Sequence, residues 1–253
     1  MSTSTPRLRM FAGPNGSGKS TIKSLIPANL LGVCVSPEEI EKEIQQFDFL
    51  DFSFYKVQCT ATQVLPFFRN SPLLKKANLS NEAAALSFED GKLIFETVRV
   101  NAYFASVAAD FLCQAMLAGG INFTFETVMS SPGNVALLKK AQTLGFRTYL
   151  YYVATEDPEI NISRVKNRVQ LGGSHVPHQK IIERYVKSLQ LLFNAVQYSH
   201  RAYIFDNSFH KKTWLAEITD GIELEMKSNA MPHWFKIALW DQFMAQGAQS
   251  KKS

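Results

Sequence analysis

Gly13 to Ser20 reads GPNGSGKS, the residue types and spacing GxxxxGK[ST] of a phosphate-binding loop. Glycines at those places let backbone N–H groups curl around phosphate oxygens, and a helix that starts at the loop's end adds its positive pole. In such loops the lysine, here Lys19, reaches the outer phosphates and the following hydroxyl, here Ser20, holds Mg2+. The stretch Gly13, Pro14, Asn15, Gly16, Ser17, Gly18, Lys19, Ser20 and Thr21 is therefore the expected cradle of a nucleotide with its magnesium ion. A phosphate loop says that nucleotide is bound and leaves open what is done with it.

Three further groups bear on that question. In FTFETVMS, Glu126 and Thr127 fall at the C-terminal end of an expected parallel strand, where open α/β sheets collect ligand groups. An acid in an apolar strand is costly unless something occupies it. Glu126 thus reads as a metal or substrate ligand, with an exposed strand-end carboxylate as the alternative. In NISRVKNRVQLGGSHVPHQKIIERY, Arg164 and Arg168 are four apart on one helix face, and Arg184 follows on the next helix. Arginines around the flexible GGSHVP turn suit a lid that folds over a triphosphate and neutralises the group in transfer. His175 in that turn reads as a structural or supporting residue. Finally, VSPEEIEKE is a helix start, with a hydroxyl cap at Ser36, proline at the first helical position and acids in the first turn. Glu38 is either part of that cap chemistry or a carboxylate held at a site.

Positioning these residues requires alternating strands and helices. Leu8–Ala12 is apolar and runs into the loop, and Ile22, Leu25 and Ile26 then fit a helical face. Short buried GVCV leads to the helix from Pro37. A helix is expected from Val98 to Leu117, a strand over INFTFETV, a helix ending at Gly145, and a strand over FRTYLYYVA. Two helices flank LGGSHVP, RAYIFD is the last core strand, and the tail adds a strand pair near Trp214 to Met226 and a helix over HWFKIALWDQF. Residues of about 46 to 96 have degraded periodicity and read as an insertion of short helices and irregular chain. The expectation is a single three-layer αβα domain over 1–253, of the P-loop NTPase, kinase-like class, with a mainly parallel central sheet, that insertion and a C-terminal extension from about 209.

Bulk properties agree. The 253 residues are 46% hydrophobic, enough to bury a real core. Net charge is +5 from well-mixed 27 basic and 22 acidic residues, so an ordinary solvated surface is favoured over a nucleic-acid footprint. Cys34, Cys59 and Cys113 are odd in number and lack metal-ligand spacing, which suggests buried thiols in a reducing compartment. No apolar run approaches a membrane span of roughly 18 residues, and no signal-like segment precedes the loop, so a cytoplasmic protein with no membrane partner is expected.

Taken in order, FAGPNGSGKST, PEEIEKE, FTFETVMS, VATEDPEINISRVKNRVQLGGSHVP, ERY and IFDNS, over about Leu8 to Ser208, resemble the zeta toxin family of P-loop kinases, in particular its small bacterial members. The resemblance implies ATP and Mg2+ as cofactors and phosphorylation of a hydroxyl on a small-molecule acceptor. Well-studied members phosphorylate a UDP-linked amino sugar. It also brings an antitoxin protein as a candidate partner. The family's acceptor-activating Asp, in a pattern like N-A-D-E-I, falls on Glu38, its strand-end acid on Glu126 with Thr127 beside it, and its lid arginines on Arg164 or Arg168. Asp206 and Asn207 fall near the edge that binds the nucleotide base, and the GGHxVP turn is matched with its His displaced by one. Glutamate at 38 moves the carboxylate by about 1.5 Å, and misplacement of about 1 Å can cost on the order of a hundredfold in rate. Alternatives left open are an ATP-binding interaction module with phosphotransfer lost, and a kinase acting on nucleic-acid ends.

Overall fold

The computed structural model describes residues 5–250. In chain order these form β1 (Arg7–Ala12), α1 (Lys19–Lys23), α2 (Ala28–Leu31), β2 (Val33–Val35), α3 (Pro37–Phe47) and β3 (Phe49–Asp51). A 3-10 turn (Phe52–Tyr55) leads to α4 (Ala61–Arg69), α5 (Pro72–Lys76), α6 (Ser80–Ala85), β4 (Ser87–Glu89), β5 (Lys92–Ile94) and α7 (Ala102–Ala118). Next come β6 (Phe123–Thr127), α8 (Pro132–Thr143), β7 (Arg147–Ala154), α9 (Pro158–Gln170), α10 (His178–Gln197) and β8 (Arg201–Asp206). The tail is β9 (Thr213–Thr219), β10 (Glu223–Met226), α11 (His233–Phe235), a π-helical turn (Lys236–Trp240) and α12 (Asp241–Ser250). Two compact units result: one holds the described residues up to Leu31 and those from Glu126 onward, the other Gly32–Phe125.

In the first unit the strands lie in the order β10-β9-β8-β7-β1. The inner three are parallel, with Phe11 opposite Tyr151 and Tyr151 opposite Tyr203. β9 and β10 complete the edge antiparallel. Alternation along β7 explains its layers. Phe11 and Val153 face Ile22 of α1, with Ile26, Leu31, Tyr151 and Phe205 packed around them. Leu150 and Tyr152 point the other way and are fully buried, and the Tyr152 hydroxyl meets Ser188 of α10 at 3.0 Å. Helices therefore cover both faces, and the fold is the expected α/β phosphate-loop architecture.

The second unit pairs β2 with β6 in parallel, Val33 opposite Phe123. Beside them α3 packs on α7, and β3, β5 and β4 form a small antiparallel sheet in that order. Its core is aromatic: the Phe52 and Phe67 rings each meet Phe111 edge-on, and Phe95 meets Phe104 likewise.

Several expectations are corrected. The stretch around 46–96 holds three strands besides its short helices. α7 begins at Ala102, because the Asn101 carboxamide accepts from Tyr103 N at 2.9 Å and caps the helix there. α1 ends at Lys23 and leaves Leu25 65% exposed, since Pro27 stops the helix. Pro37 and the acids open α3 as read, yet the Ser36 side chain makes no capping bond. Of the three cysteines, all free thiols, only Cys113 is buried. No described helix is long and apolar enough to cross a membrane.

Candidate phosphate-binding site

β1 delivers the chain to Gly13, and the loop closes on α1 at Gly18. Gly18 has φ +100, a left-handed backbone that side chains resist, and a Cβ there would meet the Asn207 amide nitrogen at 2.3 Å. Lys19 folds back along the loop, its Nζ donating to the carbonyls of Gly13 at 3.0 Å and Pro14 at 3.1 Å. The ammonium thus lies along the concave loop where phosphate charge would arrive. Ser17 is fully buried, so its contribution to an anion would come through its backbone.

Glu126 faces the start of α1. Its Oε1 accepts from the Ser20 hydroxyl at 3.0 Å, and its Oε2 from Lys23 Nζ at 2.8 Å. Burial by itself raises the carboxyl's pKa, but the hydrogen bond from Lys23, the charges of Lys19 and Lys23 and the hydrogen bond from Ser20 together hold it below the usual 4.5. It is therefore an anion at neutral pH. The sequence reading passed over Lys23, although KSTIK places it four residues after Lys19 on one helix face.

This corner fits a magnesium ion. Two hard oxygens converge there, and the Lys23 ammonium already stands beside one of them as a positive charge. Among the described residues no group of three or more His, Cys, Asp or Glu side chains could hold a metal alone. Mg2+ takes one or two protein oxygens and completes its shell with waters and phosphates, and the Ser20 and Glu126 oxygens are such a pair.

The other expected residues are distributed as follows. Thr127 spends its hydroxyl oxygen accepting from Met129 N at 3.0 Å, supporting a buried residue with φ +54. Arg164 donates to the Asn207 carbonyl at 2.8 Å, and Arg184 reaches the Asn15 side chain at 3.5 Å. Arg168 folds onto the glycine hinge, toward the Ser174 carbonyl at 3.5 Å, while exposed His175 stands outside these contacts. Lys19, Ser20, Glu126, Arg164, Arg184 and Asn207 thus gather on the loop.

Asp206 does not offer its carboxylate to a base. It is 4% exposed and accepts from Trp234 Nε1 at 2.8 Å and from the Ser208 hydroxyl at 2.7 Å on Oδ1, with Ser208 N at 3.1 Å on Oδ2. Asn207 likewise turns its side chain to the loop, donating to the Ser17 carbonyl at 2.7 Å. Glu38 belongs to the second unit, in the first turn of α3, 34% exposed and 3.6 Å from Lys42 Nζ.

Strand β1 feeding a glycine loop that closes on a helix, within strands covered on both faces, defines the phosphate-loop α/β class. Residues 96–215 match the model of the zeta toxin family, described as "Zeta toxin", so the chain is similar to that family over those residues. Among solved structures it is similar to the AvrRxo1-ORF1:-ORF2 complex with ATP, with a TM-score of 0.51, 13% identity, and coverage of 94% of this chain and 63% of that one. The same complex with sulphate ions gives a TM-score of 0.51 and 13% identity over 89% of this chain and 62% of that one. An uncharacterised protein of Haemophilus influenzae is 32% identical over 65 residues, 26% of this chain and 46% of that protein. The match thus spans about half the length of this curated relative.

Proposed function

We propose that the protein is an ATP-dependent kinase of zeta toxin type, transferring the terminal phosphoryl group of ATP to a hydroxyl of a small molecule, with nucleotide sugars the first class to test. The observation that carries this reading is the corner formed by Lys19, Ser20 and Glu126. It supplies a cation for the phosphates and an oxygen pair for Mg2+ within one short stretch of space. Gly13 to Thr21 would cradle the phosphates. Arg164, Arg168 and Arg184 would neutralise the group in transfer, as phosphoryl transfer is catalysed mainly by positioning and charge. Glu38 as the base that activates the acceptor hydroxyl, and Thr127 as an acceptor contact, rest on the resemblance to the family. Magnesium would screen the phosphate charge; the chain's own part is to hold Glu126 ionised.

An antitoxin partner is proposed on the family's name, and the need for ATP supports a cytoplasmic site of action. The test is labelled ATP with separate pools of nucleotide sugars, nucleosides and short oligonucleotides. Label in the first pool is expected. Lys19→Ala should abolish it, and Glu38→Gln should abolish it while sparing ATP binding. ATP bound with no pool labelled would replace the kinase by a nucleotide-binding module.

A further inference from the structure

We infer that Asn161 and Asn207 set the phosphate affinity of the loop from outside it, by holding two of its carbonyl groups turned away from the anion. The inference rests on the nucleotide-binding reading above. A loop that points its N–H groups at a phosphate must point its carbonyls elsewhere, because each peptide is planar and trans with N–H and C=O on opposite edges. Carbonyls so displaced into the protein need donors, or the loop relaxes toward a shape that satisfies them and spoils the cradle.

Two side chains far away in sequence supply those donors. The carboxamide of Asn161, in the first turn of α9, donates to the Asn15 carbonyl at 2.5 Å. That of Asn207, directly after β8, donates to the Ser17 carbonyl at 2.7 Å. Both donors are themselves fixed. Asn161 is fully buried, and its side-chain oxygen accepts from the Thr155 hydroxyl. The Thr155 carbonyl in turn accepts from Tyr185 of α10 at 2.6 Å. Asn207 donates its backbone N–H to the Ala154 carbonyl at 2.8 Å, and its own carbonyl accepts from Arg164 at 2.8 Å.

The loop's glycines leave room for this hold. A Cβ on Gly16 would come within 2.7 Å of the Asn161 carbonyl, just as one on Gly18 would strike the Asn207 amide. The two asparagines are therefore positioning residues, acting on phosphate through the backbone of the loop. Since α9 carries both Asn161 and Arg164, one helix fixes the loop at one point directly and at the other through Asn207.

The test compares Asn207→Asp, which keeps the side chain's shape but exchanges its donor for an acceptor, with Asn207→Ala and Asn161→Ala. Dissociation constants for inorganic tripolyphosphate, ATP and GTP are measured at a temperature where each variant is folded. The expected result is a loss of about tenfold for all three ligands in each variant, with the ATP-to-GTP ratio unchanged. Unchanged tripolyphosphate affinity would overturn the inference, and a changed ATP-to-GTP ratio beside it would return Asn207 to a base contact. A lowered Tm with wild-type affinities would reduce both residues to ordinary fold stabilisers and equally overturn it. Wild-type protein that binds neither ATP nor tripolyphosphate would instead remove the nucleotide-binding reading, and this inference with it.

Discussion

At Glu126, burial and charge pull in opposite directions, and the lysines win. The folded carboxyl titrates below 4.5, whereas the unfolded chain returns it to its ordinary value. Its contribution to stability is therefore complete above about pH 4.5 and is lost as pH falls through the folded pKa. Glu126→Gln should accordingly be less stable than wild type at pH 7, with the Tm gap closing as pH drops below 4.5. A gap that stays constant down to pH 3 would mean that the carboxylate is not held by Lys19, Lys23 and Ser20. Replacing Lys23 by Met should move the acid limb of the same curve to higher pH, since the hydrogen bond and positive charge that Lys23 gives the carboxylate are gone. Glu126 could be picked out from sequence because an acid closes an apolar strand. Asn161 could have been: Ile162 and Val165 are buried on α9, and Asn161 lies four residues before Val165 on that face. A buried carboxamide must find partners. What sequence cannot give is which carbonyl it finds, because Asn15 is 146 residues away.

Elements with one dominant pattern were legible, and elements decided by contacts were not. β7 and α10 could be read because alternation and helical periodicity run long enough to identify them. β3, β4 and β5 are three residues each, too short for periodicity to separate from loop. The end of β8 shows the cost of reading an element alone. The resemblance to the family puts Asp206 near the edge that binds the base, yet α11 brings buried Trp234 to its carboxylate. Trp234→Phe keeps most of the apolar volume and removes that one donor, leaving a buried carboxylate short of a hydrogen bond. The expected cost is about 1–3 kcal/mol, read as a Tm lowered by several degrees, with ATP affinity unchanged. A fall in ATP affinity without a fall in Tm would restore Asp206 to the nucleotide site.

For the molecule as a whole, the phosphate loop and the contacts to it described above belong to the unit assembled from both ends of the chain: β1, α1, Glu126, α9, α10 and Asn207. That unit was legible because strand, loop and helix recur along it in the order that α/β folds require. Within Gly32–Phe125, β2, α3 and α7 were legible as well, but the stretch of about 46 to 96 was not, since its aromatic residues carry no spacing that says which rings meet. Phe104, fully buried in α7 and edge-on to Phe95, is a core residue of that second unit. Phe104→Ala removes a buried ring, which costs about 3–5 kcal/mol in a packed core. Thermal unfolding should register that loss as a clearly lowered Tm. The ATP dissociation constant, taken by titration well below the new Tm, should stay within about twofold of wild type, because the donors and cations that shape the loop are supplied by the first unit. Loss of ATP affinity in step with stability would mean that the loop's geometry draws on the second unit's core, and the assignment of phosphate binding to the first unit alone would fail.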